Sequence, residues 1–128
     1  MSTDNPYLEK PWLTRYEAGV PEHVQYENIC LPEFLKQSAE TFPDKMALTF
    51  QGYQISFSKL NEMVDRFAAC LTDFGVKKGD SVAILLPNVI PCVAAYYAIL
   101  RIGAVTVMNN PLYSDRELEH QFNDSGSK

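Results

Sequence analysis

Few residues in this sequence have the type and spacing to do chemistry, and most of them fall in its last third. Glu117, Glu119 and His120 stand close enough in the chain for proton transfer or for metal ligation. Their setting argues against both. Ser114 followed by Glu117 is a capping box, in which the Ser side chain bonds the Glu amide and the Glu reaches back. Leu118 and Phe122 then fall four residues apart on one helical face. The two acids and the histidine read as the solvated side of a capped helix. Cys30, Cys70 and Cys92 are far apart, form no C-x-x-C pair, and have neither His23 nor His120 near them. They read as free, buried thiols of a reducing compartment, with no metal site. The glycines Gly19, Gly52, Gly75, Gly79, Gly103 and Gly126 are all isolated, which excludes a phosphate-cradling loop or a dinucleotide fingerprint. There is no Ser nucleophile elbow and no paired-histidine motif. No catalytic residue and no metal ligand is therefore assigned. Asn109-Asn110-Pro111 reads as a turn.

Composition narrows the class. The chain has 128 residues, 46% of them hydrophobic and 21% charged, enough for one domain with a core. Its net charge is −5, with Lys and Arg scattered, so no basic face offers itself to nucleic acid. The opening MSTDNPYLEKPW carries acids and prolines and no apolar h-region, so it is not a signal peptide. The longest apolar stretch, Val89 to Leu100, is too short for a bilayer and contains Pro91. A cytoplasmic protein is expected.

The elements that must position these residues follow from periodicity. Residues 1–28 carry three prolines and no steady period, and read as an extended arm whose Tyr7, Trp12, Tyr16 and Tyr26 pack onto the body. LPEFLKQSAETFPD predicts a short helix with Phe34, Leu35, Ser38, Ala39 and Phe42 in helical phase, ended by Pro43. MALTFQGYQISF predicts a small β-hairpin over 46–57, with strands near 46–50 and 54–57. SKLNEMVDRFAACLTDFG predicts a helix with an apolar stripe of Leu60, Met63, Val64, Phe67, Leu71 and Phe74, closed by Gly75. A buried strand is expected at 81–86, then a helix at 89–102 capped by Asn88, then a strand at 104–108. Strand, apolar helix and strand make a βαβ unit with a parallel pair. The fold class is α/β: a partial parallel sheet, the small hairpin and flanking helices. A last helix at 114–124, ended near Gly126, points toward a further strand.

These segments, in this order, resemble the N-terminal part of AMP-forming acyl-CoA synthetases, the adenylate-forming superfamily. The matching pieces are ALTFQGYQISFSKLNE, VKKGDSVAILLPN and YYAILRIGAVTVMNNPLYSDRELEHQFNDSGSK, with the opening KPWLTRYEAGVPEHV. The opening and NPLYSDRELEHQFNDSG are similar to bacterial long-chain fatty acyl-CoA ligases. The resemblance implies a parent that activates a fatty acid with ATP and Mg²⁺ to an acyl-adenylate and passes it to coenzyme A. It implies that residues 29–128 begin a large adenylate-forming domain that continues in the parent. The family's Ser/Thr/Gly-rich phosphate loop, its Tyr-Gly-x-Thr-Glu motif, its ribose-binding Asp and its catalytic Lys have no match here. The chain alone is expected to be an inactive segment with no cofactor bound. In related acetyl-CoA ligases the loop after the second strand lies near the nucleotide end of coenzyme A. Asn109 and Asn110 are thus candidates to hydrogen-bond an adenine or a phosphate, beside the plainer reading that both shape the turn.

Two other functions compete: a ligase of the same superfamily for another carboxylate, or a stand-alone non-catalytic α/β interaction module. The parent is expected to be cytoplasmic, with peripheral association at the inner face of the membrane. The isolated chain is expected to form a homo-oligomer. Its helix 89–102 would lack cover on one side, and its second strand would leave a parallel edge open.

Overall fold

The computed structural model describes residues 7–127. The first six residues of the expected arm, and Lys128, lie outside them. The described part of the arm is not extended throughout. Lys10 adopts φ 45°, and Pro11–Arg15 then form one short 3-10 helix that buries no residue. The aromatics do not pack onto the body as expected: Tyr7 and Tyr26 are 74% and 85% exposed, and Trp12 and Tyr16 are also exposed. Four glutamates between Glu9 and Glu27 keep this segment in water, and its polar contacts are internal, as in Lys10 with Glu22 at 3.3 Å.

Helix α1 spans Leu31–Thr41, with Pro32 in its first turn, where a missing N–H costs nothing. Strands β1 (Met46–Phe50) and β2 (Tyr53–Ser56) pair antiparallel, with a register shift between Met46 and Leu48. The hairpin turn places Gln51 at φ 48° and Gly52 at φ 82°. Positive φ at both central residues is what a type I′ turn demands, so Gln51 does the work more often given to Asn.

Helix α2 follows without a loop at Phe57–Asp73, and the Ser56 hydroxyl accepts the Lys59 amide at 3.3 Å. The expected stripe was too wide. Leu60, Val64 and Ala68 are buried, but Phe67 and Phe74 are exposed, Phe74 by 88%. Ala68 replaces them because α2 meets α3 through small side chains, Ala68 against Ala94 and Ala98 in one cluster. Small residues at the crossing let two helices approach closely, and larger neighbours are left at the rim.

Strand β3 (Ser81–Ile84) and strand β4 (Val105–Met108) form a parallel pair in continuous register around helix α3 (Ile90–Arg101). This is the βαβ unit. β3 is two residues shorter than expected, and Leu85 and Leu86 leave it as exposed loop. Val89, not Asn88, is the N-cap of α3, and no side chain caps it. Gly103 ends the helix at φ 76°, where Gly103 N–H meets Leu100 O and Ala104 N–H meets Ile99 O, a Schellman closure. A Cβ at Gly103 would sit 3.0 Å from Lys78 Cγ, so backbone and neighbour both ask for glycine there.

Two buried clusters share α3. One joins it to α1, α2 and β2, through residues such as Leu35, Ile55 and Val64. The other joins it to the parallel strands, through Val82, Ile84, Cys92, Ile99 and Ala104. The helix is thus covered on nearly every side, with Pro91 its one exposed residue. The expected bare side of α3 does not exist. Helix α4 (Asp115–Ser125) buries no residue. Among the described residues no helix is long and apolar enough to cross a membrane.

Candidate functional site

The carboxyl ends of β3 and β4 meet at one place, and the expected site residues are there. In open α/β sheets, ligands bind outside this end of the strands. A depression of about 570 Å³ lies between the two loops, lined by Leu86, Pro87, Met108, Asn109, Pro111 and Leu112 among others. No charged side chain lines it.

Asn109 and Asn110 sit side by side but play different parts. Asn110 is exposed; its Oδ1 accepts the Leu112 amide at 3.0 Å and its carbonyl accepts the Tyr113 amide at 3.0 Å. It shapes the turn into Pro111. Asn109 is 5% exposed and is the one buried polar residue of the described core. Its backbone N–H extends the parallel ladder to Ile84 O at 2.9 Å, which fixes the side chain at the strand end. Its Nδ2 donates to Val107 O at 2.9 Å, and its Oδ1 has no partner. The orientation is forced, since the reverse would set the amide oxygen against a carbonyl. A buried acceptor left unmade costs free energy, so this atom faces an unmet demand for a donor.

The other candidate groups do not gather. The Glu117 carboxylate accepts from the Ser114 hydroxyl at 2.7 Å and the Ser114 amide at 2.8 Å. These bonds hold its pKa below the ordinary 4.5, with the hydroxyl the larger cause. It is a helix cap, as the sequence indicated. Glu119 and His120 are exposed, and among the described residues no group of His, Cys, Asp or Glu is placed to hold a metal. The three cysteines are free, yet only Cys92 is buried; Cys30 and Cys70 are exposed, contrary to expectation.

One polar group escaped sequence reasoning. Arg101, in the last turn of α3, pairs with Asp65 and donates to Asn61 Oδ1 at 2.8 Å, while Asn61 Nδ2 reaches Asp65 at 3.3 Å. This clamp ties α3 to α2 beside the core. Arg101 as the only charge on an apolar helix was the available signal.

With this geometry, the profile of the AMP-binding enzyme family matches residues 35–128. The chain belongs to that family. Among AMP-binding enzymes, the long-chain-fatty-acid–CoA ligase of Bacillus subtilis (strain 168) is 39% identical over 117 residues, covering 91% of this chain and 21% of the relative. The corresponding ligase of Escherichia coli O6:H1 is 42% identical over 122 residues, covering 94% and 22%. A Mycobacterium tuberculosis fatty acyl CoA synthetase shares the fold with TM-score 0.73 and 31% identity, over 76% of this chain and 20% of that one. An artificially fused NpsA-ThdA from Klebsiella oxytoca superposes with TM-score 0.77 and 28% identity, over 80% and 20%. The chain spans about a fifth of the length of the curated relatives it matches.

Proposed function

We propose that the chain is the N-terminal segment of an AMP-forming ligase for a long-chain fatty acid. The observation that carries this is the identity of about 40% over more than nine-tenths of the chain to enzymes named long-chain-fatty-acid–CoA ligase. In such a reaction the carboxylate displaces pyrophosphate from ATP, and the thiol of coenzyme A then displaces AMP. ATP, Mg²⁺ and coenzyme A would supply the adenylyl group, the charge neutralisation and the thiol. The chain by itself does not catalyse in this reading, because it offers no glycine-rich donor cradle for the developing phosphate charge. Residues 1–28 are an arm, and residues 29–128 open the large domain. Cytoplasmic location, and peripheral contact with the membrane, are properties of the whole ligase. With α3 covered, self-association of the isolated chain rests on the open edge of β4, where Val105 is 51% exposed.

The residue of this segment that we assign to coenzyme A is Asn109, whose Oδ1 is buried in this structure and must be uncovered for the contact. Its free Oδ1 is an acceptor, and a phosphate is an acceptor too, so the two do not pair. An adenine amine does donate, and the apolar walls of the depression suit the ring. Asn110 is already committed to its turn. In the enzyme that carries this chain, Asn109→Ala raises the KM for coenzyme A about tenfold, the size of one buried hydrogen bond. Asn110→Ala leaves it unchanged. An unaltered KM in Asn109→Ala would leave only the structural role.

A second reading has its own support. Klebsiella oxytoca NpsA, which shares this fold segment, is described with anthranilyl-AMSN. A ligase for an aromatic acid is therefore the alternative, and a substrate panel on the whole enzyme separates the two.

A further inference from the structure

We draw no further inference here: the strongest candidate, the apolar groove of about 380 Å³ between α2 and α3, carries none, because nothing in the structure shows what covers it in a chain that spans about a fifth of the length of its curated relatives.

Discussion

Truncating Ile99 to alanine tests whether α3 is the covered centre of the fold. Ile99 is 1% exposed and packs with Val82, Ile84, Cys92, Ala95 and Ala104, at the contact between helix and parallel strands. Strand and helix geometry fix its neighbours on both sides, so the site has little room to collapse. Buried Ile→Ala changes cost about 2–5 kcal/mol, and a well-enclosed site lies above the minimum, near 3 kcal/mol. Domains of this size hold roughly 5–15 kcal/mol in all, so the loss is large but survivable. With a urea slope of about 1.5 kcal/mol/M, the midpoint falls by about 2 M. Circular dichroism at the helical band reads the transition. Phe74→Ala is the control: it removes a larger side chain that is 88% exposed, and should cost under about 0.5 kcal/mol. If Ile99→Ala costs less than about 1 kcal/mol, or no more than Phe74→Ala, the packing described for α3 is wrong.

Two further outcomes follow from polar contacts. The Glu117 carboxyl is held below its ordinary 4.5 by Ser114. A depressed folded pKa means that the cap's contribution is present above the ordinary value and is lost as pH falls through the lowered one. Helix α4 should fray as pH falls below the ordinary 4.5 and through the lowered pKa, seen in amide exchange or helical chemical shifts, and Glu117→Gln should flatten that dependence. Arg101→Met should cost about 1–2 kcal/mol, discounted because Asp65 is 58% exposed, and a double-mutant cycle with Asn61→Ala should show coupling; additive costs would mean the clamp is idle.

What was legible in the sequence was local. The capping box at Ser114 and Glu117, the glycines that close α2, α3 and α4, and the βαβ order all depend on neighbours within a few residues. Each stands within two or three positions of where the pattern put it. What failed was burial. Phe67 and Leu60 look alike in a stripe, but only packing against Ala94 and Ala98 decides which faces inward. Cys70, among apolar neighbours in the chain, ends on the rim of a groove. The same limit hid the difference between Asn109 and Asn110, adjacent in sequence and alike in type. The ladder bond to Ile84 draws one inside, and the turn keeps the other out. The clamp of Arg101 on Asn61 spans 40 residues, a separation no local pattern encodes.

Pyrophosphate release is the direct measure of where the chemistry resides. The purified 128-residue chain, given palmitate, ATP and Mg²⁺, should release none above the no-enzyme blank. The whole enzyme that carries this chain should release it and should need coenzyme A to turn over. Release by the chain alone would contradict the account, because a fold segment with no phosphate cradle would then be carrying out adenylation.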